Sequence, residues 1–129
     1  MKPDPKALLR LSSVAAILRD RDLQNAAVSL RRLAETDRQV GALDALREAA
    51  HKAMRNIETP GELLRYQAYA DLTEGQRARL SRTRAEQTAA LEEILAEARF
   101  SLARSDLLAT LGTAARKELI CRRSDKDVV

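Results

Sequence analysis

An all-α fold, laid out as one long antiparallel two-helix coiled-coil hairpin, is predicted by three features of the 129-residue sequence: few turn formers, helix starts marked by proline, and apolar residues recurring in steps of three and four. Four glycines and three prolines are too few for an all-β or α/β chain of this length. The 45% apolar fraction is almost entirely Ala and Leu, and aromatic residues make up only 2%, namely Tyr66, Tyr69 and Phe100. Such side chains suit a thin seam between helices better than a thick core, and the length is that of a single helical domain, residues 1–129.

The first helix is expected over about 5–57, opened by Asp4-Pro5, an N-cap residue followed by proline at the first helical position. A hinge follows at about 58–60. The second helix is expected over about 60–121, opened by Thr59-Pro60-Gly61-Glu62, a capping box in which Glu62 returns a bond to the Thr59 N–H. A polar tail, 122–129, completes the chain. At 1.5 Å per residue each helix would be roughly 80–90 Å long. The competing arrangement is a short four-helix bundle, broken near Glu35-Thr36-Asp37 and near Asp71-Leu72-Thr73-Glu74-Gly75.

In the second helix Leu63, Tyr66, Ala70, Thr73, Arg77, Leu80, Arg84, Gln87, Leu91, Ile94, Ala98, Ser101, Ser105, Leu108, Gly112, Ala115 and Leu119 form an uninterrupted seam pattern. The first helix offers two blocks, Ala26, Leu30, Leu33, Asp37, Val40 and then Leu43, Leu46, Ala50, Ala53, Ile57, which differ in phase by one residue near Gly41. Folding back at Thr59 pairs positions whose numbers add to 120 or 121, such as Ile57 with Leu63, Ala50 with Ala70 and Ala26 with Ile94. The register sets Asp37 opposite Arg84, the expected register-fixing pair. It also leaves the segment from Lys117 through Leu119 to Arg122 and Arg123 without a partner helix.

The sequence predicts no enzyme. His51 stands alone without a second histidine or a cysteine at ligand spacing, and no glycine-rich phosphate loop is present, so neither a metal nor another cofactor is expected. Cys121, the only cysteine, rules out an intrachain disulfide. The longest apolar run, Val14 to Leu18, is far short of the roughly 20 residues of a membrane span, so a soluble, cytoplasmic protein is expected. A net charge of +4 and the cluster Arg77, Arg79, Arg82, Arg84 raise the option of a basic nucleic-acid-associated protein. Helical rotation scatters the four arginines, and no stacking aromatics accompany them, which argues against that option. A generic helical scaffold that forms a homodimer, a four-helix bundle of two chains, is the alternative. Tyr66 falls in the seam and Tyr69 one step outside it, where a half-exposed tyrosine can anchor an interface.

Leu63-Leu64-Arg65-Tyr66-Gln67-Ala68-Tyr69-Ala70-Asp71-Leu72 resembles the opening of the second helix in the FliJ family, small coiled-coil proteins of the flagellar (type III) export apparatus. The layout is similar too, with a Leu-, Ala- and Arg-rich first helix, a break before mid-chain and a longer second helix that is basic towards its end. The resemblance implies a non-enzymatic, stalk-like adaptor whose partners are the export ATPase, the export gate and substrate chaperones. It implies a place in the cytoplasm or at the inner-membrane periphery through an export complex. By carry-over Tyr69, with Tyr66 beside it, is the expected gate contact. On geometry alone the overhanging segment is an expected ATPase contact, and Leu72, Arg77, Leu119, Arg122 and Arg123 complete the expected partner-binding set.

Overall fold

The computed structural model describes residues 4–127. Two helices account for the fold, α1 (Pro5–Met54) and α2 (Pro60–Asp127), packed antiparallel against each other, and no strand occurs among the described residues. Both helices run straight through the sites where the four-helix alternative would break them. Gly41 and Gly75 do not act as breakers: neither has a positive φ, and a Cβ on either would meet nothing within 4 Å.

The caps are those the prolines mark. Asp4 Oδ1 accepts the Lys6 N–H at 3.1 Å, and Thr59 Oγ1 accepts the Glu62 N–H at 3.2 Å. The reciprocal bond differs from expectation, since the Glu62 carboxylate takes the N–H of Glu58 at 3.3 Å instead of that of Thr59. α1 also stops at Met54, short of Ile57. Pro60 disfavours helical backbone at Thr59, and the chain tightens beforehand through three successive i→i−3 bonds, donated by the N–H groups of Arg55, Asn56 and Ile57. α2 continues past 121 to Asp127, because Arg122 to Asp127 contain no Gly or Pro and the Arg122–Glu118 pair at 3.0 Å braces the last turns. Val128 and Val129, the end of the expected tail, lie outside the described residues.

By their contacts the chain divides into two compact units, residues 1–27 with 93–129, and residues 28–92, which include the hinge. In the first unit Leu8, Ala15, Asp22 and Ala26 of α1 and Ala98, Ser101 and Ser105 of α2 are buried. In the second, Thr36 of α1 and Thr73 and Leu91 of α2 are buried. Every fully buried residue of α2 belongs to the seam read from the sequence. Three members of that seam are exposed. Leu63 lies beyond the end of α1, Leu119 lies in the overhang, and Arg84 extends its head outward to a carboxylate.

The first-helix seam is corrected by the structure. A line of covered positions in steps of three and four runs through Pro5, Leu8, Ser12, Ala15, Arg19, Asp22, Ala26, Ser29, Leu33, Thr36, Val40 and Leu43, then Ala50 and Ile57, with no phase change at Gly41, and Ala16, Leu18, Ala27 and Val28 beside it are partly covered too. Leu30, Leu46 and Ala53 are exposed, and Thr36, not Asp37, occupies the seam. The physical reason is that small and polar residues fill this line. Following leucines alone therefore shifts the trace by one residue.

A candidate protein-docking surface

The second unit carries a ladder of polar contacts between α1 and α2. Thr36 Oγ1 donates to Gln87 Oε1 at 2.7 Å, Asp37 pairs with Arg84 at 2.6 Å, Asp44 with Arg77 at 2.8 Å and Arg47 with Glu74 at 2.7 Å. The last three pairs, at the seam edge, have residue numbers adding to 121, near the expected register, whereas the bonds in the seam itself are shifted from it, adding to 123 for Thr36 with Gln87 and Asp22 with Ser101 and to 124 for Arg19 with Ser105. Asp37 and Arg84 thus meet as expected, but at the seam edge, with side chains 47% and 57% exposed. An edge pair of this kind contributes little. A double-mutant cycle with Asp37→Ala and Arg84→Ala should give a coupling of about 0.2–1 kcal/mol, below that of a buried pair. A value well above that range would mean that the pair is shielded from water.

The pairs at Arg77 and Arg84 also change the reading of the arginine cluster. Two of its four guanidinium groups are engaged by α1 carboxylates, and Arg79 Nε reaches the Gly75 carbonyl at 3.4 Å. Arg82 is exposed. Arg77, expected at a partner interface, is already held within the chain.

At the hinge end Tyr66 is half-buried and its hydroxyl lies 3.1 Å from His51 Nδ1, the two rings tilted 49° apart. Beside them is an open cleft of about 240 Å³ whose walls include Ala50, Tyr69, Ala70 and Thr73. Tyr69 is 41% exposed, and its hydroxyl has no hydrogen-bond partner among the described residues. Leu72, 58% exposed, lies one turn further along α2, next to Thr73. The Thr73 hydroxyl bonds back to the Tyr69 carbonyl at 2.8 Å, which satisfies a polar group that would otherwise be buried unpaired. Tyr66 therefore belongs to the hairpin, while Tyr69 and Leu72 stand exposed to solvent.

In the first unit the seam holds a buried acid that the leucine trace missed. Asp22 accepts the hydroxyl of Ser101 and the guanidinium of Arg21 at 3.1 Å, and Arg19 bonds Ser105 at 3.3 Å. Stepping back from Ala26 by fours and threes lands on Asp22, Arg19 and Ala15, so the signal was present in the spacing. The Ser101 hydrogen bond holds the Asp22 carboxyl below its ordinary 3.8; burial opposes this, and Arg21 and Arg104 reinforce it. A depressed folded-state pKa gives stability that is present above the unfolded value and lost as pH falls through the folded one. Asp22→Asn should accordingly flatten the fall in thermal stability on acidification below about pH 4. An unchanged acid limb would show that Asp22 takes no part in it.

Of the overhang, Lys117 to Lys126 are exposed throughout, including Leu119, Ile120, Cys121 and Arg123. Arg122 is engaged by Glu118. No described helix is long and apolar enough to cross a membrane, and no described cluster of three or more His, Cys, Asp or Glu could hold a metal ion.

The total accessible surface is 10092 Å², where a compact chain of this mass shows about 6,800 Å². Large apolar side chains contribute to it along both helices, from Leu9 and Ile17 to Phe100 and Ile120. Exposed apolar surface of this kind is what a partner protein can cover. No family model matches the chain, and no curated protein or solved structure matches it.

Proposed function

We propose that this chain is a non-enzymatic component of the flagellar (type III) export apparatus, a stalk-like adaptor that binds the export ATPase, the export gate and substrate chaperones at the cytoplasmic side of the inner membrane. The observation that carries the reading is the exposure of Tyr69, which lines the hinge cleft, and of Leu72 three residues further on, both within the ten residues that resemble the FliJ family. An exposed aromatic on a rigid helix is a low-entropy anchor for a partner surface. The overhanging segment around Leu119, Ile120 and Arg123 supplies a second, separate contact suited to the ATPase, since the basic side chain flanks apolar ones.

The test is direct binding between the purified full chain and the export ATPase and gate cytoplasmic domain of the same organism, read by calorimetry. Micromolar or tighter binding to at least one of them is expected. No detectable heat or co-elution with either would end the export reading.

A further inference from the structure

The second unit is closed along one edge and open along the other. Asp37 and Asp44 directly follow the α1 seam positions Thr36 and Leu43, and their edge is closed by the ion pairs Asp37–Arg84, Asp44–Arg77 and Arg47–Glu74. Residues that directly precede seam positions lie on the opposite edge. There Gln39, Ala42 and half-buried Leu43 of α1, with Gln76, Arg79 and half-buried Leu80 of α2, line an open cleft of about 470 Å³. Leu46 and Ala49 continue this stripe on α1, and Leu72 continues it on α2. Leu46 and Leu72 stand 51% and 58% exposed. Each helix therefore carries a second stripe beside the shared seam, as a helix with two packing neighbours does.

The charges of this open face are unmatched. Arg65, Leu72 and Arg79 are spaced seven apart, so the two arginines share one side of α2 with the leucine midway. Arg79 reaches only the Gly75 carbonyl, at 3.4 Å, and Arg65 has no bonded partner among the described residues. From the hinge as far as Glu35 and Glu86, neither stripe contains a carboxylate.

We infer that this face seats an amphipathic helix of another protein, one with carboxylates two heptads apart and leucine-type side chains between them. Ala42 and Ala49 let a third backbone approach, and an apolar side chain from it fills the cleft above Leu43 and Leu80, flanked by Leu46 and Leu72. At 1.5 Å per residue, carboxylates two heptads apart are separated by about 20 Å, which is the separation of two α2 residues spaced like Arg65 and Arg79. One helix thus answers both guanidinium groups. A second copy centred on the cleft would present the same acid-free lining to Arg79, and a flat lipid surface would leave the cleft unfilled. The inference does not rest on the export reading, although Leu72 takes part in both.

The probe is a synthetic peptide of about three heptads with leucine on one face and glutamate beside it, compared with a peptide carrying lysine in place of each glutamate. In calorimetry at low salt the full chain should bind the acidic peptide with a Kd tighter than about 100 μM, and the basic peptide about tenfold or more weakly. The double variant Arg65→Glu, Arg79→Glu should invert the preference, losing about tenfold for the acidic peptide and gaining for the basic one. Leu46→Glu should abolish binding of the acidic peptide, and Leu107→Glu, in the first unit, should leave it unchanged. Circular dichroism confirms that each variant remains helical. Equal affinities for the two peptides overturn the inference, as does an acidic-peptide Kd weaker than about 100 μM or an equal loss in Leu107→Glu and Leu46→Glu. So does a dimer in sedimentation that Leu46→Glu dissociates, which assigns the face to a second copy, or binding to phosphatidylserine vesicles without binding to the peptide. Binding of the acidic peptide with none of the export ATPase or gate supports the inference and ends the export reading alone; the reverse result ends the inference alone.

Discussion

Replacing Ala98 with leucine should destabilise the protein by about 1–3 kcal/mol, whereas the same change at Ala103 should be neutral to within about 0.5 kcal/mol. Ala98 is buried in the α2 seam, between Leu91 and Ser101, and the α1 residues that cover this stretch include Ala26 and Asp22. Small side chains on both helices let the backbones approach closely, so three extra carbon atoms have no space without separating the helices. Separation here also stretches the bond from Ser101 to Asp22, and a buried carboxylate that loses its donor is costly to keep. Ala103 is exposed on the outer side of α2, where leucine changes only helix propensity, by a small amount. In a thermal melt the difference between the two variants should be about 4 °C per kcal/mol. Equal melting temperatures would mean that the seam at Ala98 is loose enough to admit a large side chain.

How far the fold was legible depended on what each helix puts in its seam. On α2 the steps of three and four run through Thr73, Leu91, Ala98, Ser101 and Ser105, the residues that the structure buries, because the trace was followed through polar members as well as apolar ones. On α1 it followed leucines, and Leu30 and Leu46 stand exposed one step away from Ser29 and Arg47, which continue the true line. Hydrophobicity was a poor guide there because the leucines of this chain serve two surfaces. One is the seam at Leu8, Leu33 and Leu43, and the other is the uncovered faces at Leu9, Leu23 and Leu46. Spacing alone separates them. The hinge was marked by Thr59 and Pro60, but the retreat of α1 to Met54 arises from three tightened backbone bonds that no residue type announces.

The site was legible in part for the same reason. One step off the seam sufficed to set Tyr69 apart from Tyr66, and the structure exposes the first and half-buries the second. The engagement of Arg77 by Asp44 could not be read without the register, since the two residues are 33 apart in the chain. Once the index sum of 121 is known, it follows directly, as do the pairs at Arg84 and Glu74. Asp22 was missed because the first-helix trace began at Ala26, one seam step too late.

Tyr69→Asp should weaken binding to the export partner about thirtyfold or more and leave the helical hairpin folded. The reasoning starts from the 41% exposure of the ring, whose hydroxyl is not tied to any group among the described residues. A carboxylate at this position stays hydrated in the free protein, so folding loses only the modest cover that the ring gives to the hinge cleft. In a complex the same carboxylate must be stripped of water against apolar Leu72, while the contact area of the ring is gone. Loss of an aromatic anchor commonly costs about 2 kcal/mol, which is the thirtyfold factor. Arg84→Ala is the contrasting control. It removes the bond to Asp37 midway along the second unit and should lower the melting temperature slightly without reaching the partner surface. Tyr66→Phe is the second control, because it deletes the hydroxyl that meets His51 and keeps the ring in place. With the export ATPase and gate domain as probes, circular dichroism reports the fold and calorimetry the contact. Unfolding by Tyr69→Asp would place the ring in the hairpin's own packing. Unchanged folding with unchanged affinity would remove Tyr69 from the interface and leave the overhang around Leu119 and Arg123 as the surface to probe next.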